Sequence, residues 1–329
     1  IADTCHVSSI TDFGDLPVFQ SASAYPMIFA AQKGRNAFGG PTSFTQVKSL
    51  DAPYPDVDAL IRTQGSPLPD DSIIGPDWSL TDAATAARLK KMRASGVPLG
   101  EYVKGQIYYG IKTGFNKAFV IDGAKREELI SHDPKSAEII KPFLTGKNIR
   151  KWHADTQDKW LLYMHHDVNI SGMEAIITHL KPFREDLEGR ATKQEWCELQ
   201  QPQMRYASAF EKSKIVFPDI AKRPRFALDY TGAYSGDTTF LIPADDPYLL
   251  GLLNSSAVEN LFIEIGATVR GGYLRFKRQY VEQIPIPNAR AAEREEISAL
   301  VEKCLEAKGV GCEEYEREID ERVAKLYGL

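Results

Sequence analysis

The stretch IYYGIKTGFNKAFVID, residues 107–122, places a polar, glycine-punctuated centre between two apolar runs. Both runs are rich in β-branched and aromatic residues, which favours strands. Gly110 and Gly114 let the chain between them turn tightly and approach a ligand closely. A cation, a hydroxyl and an amide are predicted to project from this loop, from Lys112, Thr113 and Asn116. The loop is either a ligand-contact loop or a decorated hairpin turn.

Length and composition set the class of protein. The chain has 329 residues, 43% hydrophobic and 26% charged, which suits one large folded unit or two smaller ones. Its apolar runs are far shorter than the roughly 20 residues needed to cross a bilayer, and its first residues lack a secretory-signal pattern. The four cysteines are scattered and form no zinc or disulfide pattern. We expect a cytoplasmic protein with reduced thiols and no membrane partner.

Charge is unevenly distributed along the chain. The net charge is −5, which by itself argues weakly against nucleic-acid binding. Residues 100–230 nevertheless carry 21 basic and 18 acidic side chains, whereas residues 288–329 carry 7 and 11. Because local potential steers a charged ligand, a chain with a basic middle can present a positive face to phosphate.

Hydrophobic periodicity predicts an α+β fold, with a mixed β-sheet, packed helices and a C-terminal helical hairpin. Strands are predicted at 25–31, 103–112, 118–122, 160–165, 214–217, 226–228 and 239–242, with extended chain at 273–287. Helices are predicted at 83–94, 136–144, 173–190, 248–265, 291–308 and 312–326. The last two helices are mostly charged with one apolar face each, which suits packing on a body or on a partner.

Two catalytic or metal interpretations were weighed. His165, His166 and Asp167 invite a metal site, but neighbours on a strand point to opposite faces, so one His at most would face a metal. Pro-Asp pairs at 55–56, 69–70, 76–77 and 218–219 resemble part of a nuclease motif. The only nearby downstream partner of the expected form, DPK at 133–135, lies in a helix-starting turn, and the first three pairs lie in the predicted linker. We therefore expect no nuclease centre in this chain.

Three motifs in order carry a family resemblance. GQIYYGIKTGFNKAFVID at 105–122, KPFLTGKNIRKW at 141–152 and RGGYLRFKRQYVEQIPIP at 270–287 resemble the TaqI-like C-terminal specificity domain. That domain is the target-recognition part of adenine-specific DNA methyltransferases and of fused type IIG restriction-modification enzymes. The opening stretch DFGDLPVFQSASAYPMIF is similar to the last strands of the methyltransferase domain that precedes it in such enzymes.

The resemblance implies a domain organisation and a cofactor. Residues 1–33 would be the C-terminal strands of a truncated methyltransferase domain, 34–76 a linker, 77–287 the target-recognition domain and 288–329 the helical hairpin. Such enzymes hold the flipped adenine with an NPPY-type tetrapeptide and bind S-adenosylmethionine on a glycine-rich loop. Neither motif is present here. We therefore expect no cofactor, no metal and no activity in this chain alone, with S-adenosylmethionine bound by an upstream methyltransferase domain of the same polypeptide.

The resemblance also implies double-stranded DNA as a partner. Phosphates set the register through cations, and Arg, Lys, Asn and Gln read base edges in the major groove. Besides the 112–116 loop, basic clusters partly interleaved with aromatic residues lie in loops or at strand edges. The predicted DNA-binding residues are Lys112, Thr113, Asn116, Lys147, Arg150, Lys151, Lys222, Arg223, Arg225, Arg270, Tyr273, Arg275 and Lys277.

Two functions follow from the sequence. The first is sequence-specific recognition of double-stranded DNA for an adenine-specific methyltransferase, or for a fused restriction-modification enzyme with endonuclease activity, as in phage defence. The alternative is a protein-interaction module that assembles a restriction-modification or defence complex through its acidic helical tail. Deleting the tail separates the two, because the alternative requires assembly to fail while DNA affinity survives.

Overall fold

The structure is a computed structural model of the chain. It describes residues 4–14, 16–19, 25–34, 40–69, 72–73, 78, 80–269 and 271–329. The strands are β1 Cys5–Asp12, β2 Met27–Lys33, β3 Ser43–Gln46, β4 Ser66–Pro67, β5 Gly96–Pro98, β6 Tyr108–Tyr109, β7 Val120–Asp122, β8 Ile140–Leu144, β9 Lys159–Leu162, β10 Lys214–Pro218, β11 Ile220–Ala221, β12 Ala227–Asp229, β13 Tyr234–Ser235, β14 Thr239–Ile242, β15 Ala267–Val269, β16 Tyr273–Arg275 and β17 Pro285–Pro287.

The sheets are mostly antiparallel and the chain ends in two consecutive helices, as expected for an α+β fold. The helices are α1 Val57–Gln64, α2 Ala83–Ala94, α3 Leu99–Tyr102, α4 Asn116–Phe119, α5 Gly123–His132, α6 Glu174–Leu180, α7 Arg184–Glu188, α8 Ser208–Glu211, α9 Pro247–Leu253, α10 Ser256–Ile265, α11 Arg278–Val281, α12 Ala291–Glu306 and α13 Glu313–Tyr327. Short 3-10 turns lie at Pro134–Glu138, Gly146–Asn148, Lys181–Phe183 and Met204–Tyr206. Among the described residues, no helix is both long enough and apolar enough to span a membrane.

The chain folds as two compact units. The first comprises residues 1–94 and 268–273, and the second comprises 95–267 and 274–329. In the first unit, a sheet has the strand order β2-β1-β3-β4. Val7, Ile10 and Leu68 form a small apolar core there. Residues 34–76, predicted as a linker, contribute β3 and β4 to this sheet, together with α1.

The second unit contains the larger core. One sheet has the order β12-β10-β14-β6, and another has the order β13-β8-β9-β7. In the second of these, β13 runs parallel to β8, whereas β9 is antiparallel to β8 and β7. Phe119, Phe143 and Phe210 are among the large side chains fully buried in this unit. The ends of β8 and β10 lie near one another, and this placement forms the site described below.

The C-terminal helices are part of the second unit. Their predicted apolar faces are buried, including Ile297 and Val301 on α12 and Ile319 and Val323 on α13. Gly251 on α9 has no side chain, and a Cβ there would lie 2.9 Å from methyl carbons of both Ile297 and Val301. The glycine thus lets α12 lie directly on α9. The predicted hairpin is confirmed, and its apolar stripe is covered by this chain itself.

Several predicted elements are corrected. The run 136–144, predicted as a helix, ends in strand β8, where Ile140 pairs with Leu162 of β9. The strand predicted at 103–112 shortens to β6, because residues 103–105 form the turn that ends α3. The strand predicted at 25–31 exists as β2, but it is exposed along its length instead of buried.

Candidate functional site

A cavity of about 630 Å³ lies where strands β8 and β10 end and where the chain passes from β13 to β14. We call it the β8–β10 cavity. Its lining comes from four separate parts of the second unit, so only the folded chain assembles it. The lining residues are Asn116, Phe143, Thr145, Gly146, Lys147, Arg150, Pro218, Asp219, Ile220, Arg225, Gly236, Asp237 and Thr238.

Two copies of one four-residue pattern contribute to this cavity. TGFN at 113–116 and TGKN at 145–148 share Thr-Gly-x-Asn. In each copy the threonine hydroxyl donates to the asparagine Oδ1, at 2.6 Å in the first and 2.7 Å in the second. The same Thr-to-Asn hydrogen bond is therefore used twice, on different backbones: Gly114 has a φ of +79°, whereas Gly146–Asn148 forms a 3-10 turn. The repeat was not recognised in the sequence analysis, although the pattern itself was visible there.

Thr113 positions Asn116 and does not project from the loop. It is 4% exposed, contrary to the expectation of a projecting hydroxyl. Its oxygen accepts from the Phe115 N–H at 3.2 Å, while its proton is donated to Asn116. With its oxygen occupied in this way, the Asn116 amide group remains a donor at the cavity wall. Arg190 holds the loop by donating to the Thr113 carbonyl at 3.0 Å.

Gly110 and Gly114 are required in the 107–122 stretch for two different reasons. A Cβ at Gly110 would lie 1.9 Å from the Gly236 carbonyl oxygen, so a side chain here would clash with the backbone. The next residue, Ile111, donates its N–H to the Ser235 carbonyl at 2.7 Å. Close backbone packing thus requires the first glycine. Gly114 is required for another reason, because its φ of +79° lies in the left-handed region.

Three predicted cations line the cavity together with Asn116. Lys147 and Arg150 follow β8, and Arg225 follows β11. Arg150 folds over its own loop, donating to the Lys147 carbonyl at 2.6 Å and to the Ile149 carbonyl at 3.1 Å. Lys147 and Arg150 are exposed and Arg225 is half-buried. Residues from three distant sequence clusters therefore meet at one place.

Lys112 lies within electrostatic range of the cavity without lining it. Burial raises the pKa of the Asp237 carboxyl above its ordinary value, and the positive charge of Lys112 partly counteracts that rise. The Lys112 backbone pairs with Gln201, with N···O distances of 3.2 and 2.8 Å. This predicted residue thus adds positive potential beside the cavity.

Two predicted cations are instead ion-paired to helices. The Lys151 ammonium lies 3.0 Å from Glu316 on α13. Arg223 makes a two-point contact with Glu259 on α10, at 2.7 and 2.8 Å. Exposed pairs of this kind are weak, so they restrain these side chains without burying them.

The remaining predicted residues are dispersed. Lys222 and Lys277 are exposed, and Arg275 on β16 pairs in register with Ile220 at the cavity edge. Tyr273 is 39% exposed and belongs to the first unit. Arg270 lies outside the described residues.

Two carboxylates in the cavity were missed by sequence reasoning. Asp219 had been noted only as part of a Pro-Asp pair, and Asp237 not at all. Both are half-buried. Asp219 Oδ1 is buried without a hydrogen-bond partner among the described residues. Burial, with the negative charges of Asp237 and then Asp219, also raises the pKa of nearby Tyr109.

Thr238 joins the two walls that carry these carboxylates. Its hydroxyl accepts from the Gly146 N–H at 2.9 Å, and its carbonyl accepts from the Asp219 N–H at 2.9 Å. The Asp219 carbonyl in turn accepts from the Phe276 N–H at 2.7 Å. The backbone around Asp219 is therefore fixed from both sides.

The histidine pair at 165–166 lies elsewhere. His165 Nδ1 accepts from the Asp167 N–H at 3.3 Å, and His166 Nε2 is 3.6 Å from the Asp167 carboxylate. Burial lowers the pKa of His165. Within the described part of the chain, no group of three His, Cys, Asp or Glu side chains is arranged to hold a metal ion.

Comparison with known proteins identifies the central segment. Residues 141–286 match the family model of the TaqI-like C-terminal specificity domain. This match confirms the predicted resemblance for these residues, which include most of the cavity lining.

Two curated relatives are type II methyltransferases. M.BanIII of Aneurinibacillus aneurinilyticus is 26% identical over 217 residues, covering 60% of this chain and 37% of the relative. M.PaeR7I of Pseudomonas aeruginosa is 24% identical over 358 aligned positions, covering 100% of this chain and 58% of the relative. The chain thus spans only about two fifths to three fifths of these relatives.

A solved structure shares the fold. The type IIL restriction-modification enzyme MmeI, solved in complex with DNA, superimposes with a TM-score of 0.64 at 14% identity. The match covers 99% of this chain and 43% of that one. The α+β architecture predicted from the sequence is confirmed by this similarity and by the observed sheets.

Proposed function

We propose that this chain recognises double-stranded DNA in a sequence-specific manner, for an adenine-specific DNA methyltransferase or a fused restriction-modification enzyme. The supporting observation is that Asn116, Lys147, Arg150 and Arg225, named from three separate sequence motifs, line one cavity. Cations fix the register on phosphates, and an amide reads base edges.

Methyl transfer itself is assigned to other residues. The chain contains no Asn-Pro-Pro sequence to hold a flipped adenine. S-adenosylmethionine would be bound by a methyltransferase part of the whole protein. In that protein the transferase extrudes an adenine at a cost of a few kcal/mol, and this chain supplies DNA contacts that offset that cost.

The tail-mediated assembly module is not proposed. The apolar stripe on α12 and α13 that motivated it packs on α9 of the same chain, with Ile297 and Val301 against Gly251. This packing leaves the tail a structural role in the second unit.

Selection from a randomised duplex library tests the proposal. We expect the chain to enrich a sequence motif, and its affinity for the enriched duplex to fall with salt, by about one unit of log–log slope per phosphate contact. A triple variant, Lys147→Ala with Arg150→Ala and Arg225→Ala, should lose most of the affinity and of the salt slope.

A matched triple variant controls for overall charge. Lys159, Lys193 and Lys212 are exposed and do not line the cavity. Changing all three to Ala removes the same charge and should leave the enriched motif unchanged. The proposal fails if both triples weaken binding equally, or if the wild-type chain enriches no motif and shows no salt-sensitive affinity.

A further inference from the structure

We propose that the β8–β10 cavity holds one nucleotide whose base carries an exocyclic amino group, with the base inside and the phosphate at the rim. The inference rests on the proposed function only in taking nucleic acid as the ligand. It names the occupant, an adenine, cytosine or guanine nucleotide, for a cavity whose rim a duplex can contact but whose interior it cannot enter.

The lining changes character with depth. Lys147, Arg150 and Asn116 are exposed and form the rim, whereas Phe143 and Pro218 are buried and form the floor. A nucleotide changes in the same way along its length, from a charged phosphate at one end to a flat aromatic base at the other. The cationic rim fits the phosphate, and the apolar floor fits the face of the base.

The two carboxylates exclude phosphate as the inner ligand. Asp219 and Asp237 line the cavity and are half-buried. Either carboxylate would repel a phosphate placed beside it. An ionised carboxylate accepts hydrogen bonds and donates none, so the ligand beside these residues must supply a donor.

An exocyclic amine is a donor that adenine, cytosine and guanine offer and that thymine lacks. Carboxylates accept from cytosine N4, and the adenine N6 and guanine N2 amines present the same donor chemistry. The ring N–H of thymine lies between two carbonyl oxygens, which a carboxylate repels. The cavity is therefore expected to discriminate amino-bearing bases from thymine.

Asn116 completes the set of polar groups. Its oxygen accepts from Thr113, so its amide N–H groups remain available to a ring nitrogen of the base. A donor beside two acceptors matches adenine, cytosine and guanine, each of which carries an amine next to a ring nitrogen acceptor.

Size argues for a single nucleotide out of the base stack. At about 630 Å³, the cavity falls within the range of about 300–1,000 Å³ typical of small-molecule sites. A B-form duplex, with a major groove of roughly 12 Å, is too large to enter it. The occupant is therefore extruded from a duplex or taken from a single strand.

Titration of the chain with dAMP, dCMP, dGMP, dTMP and inorganic phosphate, followed by calorimetry and by chemical-shift changes of cavity amides, tests this directly. We expect at least one of the three amino-bearing nucleotides to bind at least about tenfold more tightly than dTMP and than phosphate. The three amino-bearing nucleotides identify which base is preferred. Equal binding of all five ligands, or no binding at all, overturns the inference.

Substitutions distinguish the residues that select the base from the residue that binds the phosphate. Asparagine offers both a donor and an acceptor, so Asp219→Asn and Asp237→Asn should each reduce the preference over dTMP severalfold. Asp186→Asn removes the same charge from an exposed position on α7 and should leave the preference intact. Lys147→Ala should weaken all nucleotides alike. Should Asp186→Asn change the preference as much as Asp219→Asn does, the carboxylate role is wrong.

The outcome is separable from that of the proposed function. Selective binding of dAMP, dCMP or dGMP without duplex binding keeps this inference and rejects duplex recognition. Duplex recognition without mononucleotide selectivity keeps the proposed function and rejects this inference.

Discussion

The Thr145 hydroxyl donates to Asn148 Oδ1 at 2.7 Å, and the same oxygen accepts from the Thr145 N–H at 2.9 Å. The Asn148 amide donates onward to Gln157 at 3.2 Å. One nearly buried side chain thus closes the turn that carries Lys147. The turn holds a cation at the cavity rim by hydrogen bonds that lie mostly away from solvent.

Removing that side chain should destabilise the fold. Asn148→Ala leaves the Thr145 donors without their acceptor, so we expect a loss of about 1–3 kcal/mol in the free energy of unfolding. Asn169→Ala, at an exposed turn, should change it by less than about 0.5 kcal/mol. Urea denaturation measures both values. Equal losses would show that the buried turn has no special role.

The predicted cations should fall into two groups by how much each contributes to the salt dependence of DNA binding. Lys147 lines the cavity, whereas Lys151 and Arg223 are paired with Glu316 and Glu259. Lys147→Ala should lower the salt slope by about one unit. Lys151→Ala and Arg223→Ala should lower it less, because these side chains must first leave a partner. Fluorescence anisotropy over a salt series measures the three slopes, and a larger effect of Lys151→Ala contradicts this ordering.

The charge of Asp237 should cost stability near neutral pH. Burial raises the pKa of this carboxyl above 3.8, so the folded chain binds more protons than the unfolded chain between 3.8 and the raised pKa. Stability therefore falls as pH rises through that window. Asp237→Asn should increase the free energy of unfolding at neutral pH, and the gain should vanish as pH approaches 3.8.

Lys112 provides the control for this titration. Its positive charge lowers the pKa of Asp237 against the effect of burial. In a Lys112→Met background, Asp237→Asn should therefore give a larger gain than in the wild-type background. A gain that is equally large at neutral pH and near 3.8 would show that the carboxylate charge is not its cause.

The buried pair of Lys214 and Asp229 should be sensitive to losing one partner. The Lys214 ammonium lies 2.5 Å from the Asp229 carboxylate, with the two side chains 0% and 2% exposed. Lys214→Met leaves a buried carboxylate without its cation and should cost about 3–5 kcal/mol. The double variant with Asp229→Asn should recover part of that loss. Lys212→Ala, two residues away and exposed, serves as the control in the same urea experiment.

Deleting residues 288–329 should destabilise the second unit, because the tail helices cover part of its apolar core. Val301 and Ile319 are buried, and the Trp152 indole donates to Glu316 on α13 at 2.5 Å. We expect the shortened chain to bind a hydrophobic dye and to melt at a lower temperature. A shortened chain with an unchanged melting temperature would contradict the structural role of the tail.

Elements set by local signals were predicted well. The helix at 83–94 begins after Asp82, whose carboxylate accepts from the N–H groups of Ala84 and Thr85, and the tail helices follow their apolar spacing. Residues 140–144 were wrongly predicted as helical, because their strand depends on pairing with β9, more than fifteen residues further on. The same applies to β2, whose exposure depends on the sheet around it.

The cavity was only half predictable. Asn116, Lys147 and Arg225 carry chemistry that is visible in a basic or glycine-rich motif. Asp219 and Asp237 gain significance only from the cations that the fold brings beside them, and acidic residues in loops are common. Thr113 was expected to project because of its type, but in the fold Arg190 and Gln200 come from distant parts of the chain and both donate to its carbonyl.

The placement of the last helix has a practical consequence for exchanging specificities between enzymes. The Tyr327 hydroxyl donates to the Pro285 carbonyl at 2.7 Å, so the final helix closes over the strand at which the family match ends. A graft cut after residue 286 would leave that strand and α9 uncovered. A transplantable block should instead run from residue 95 to residue 329, which contains the whole second unit together with residues 268–273 of the first.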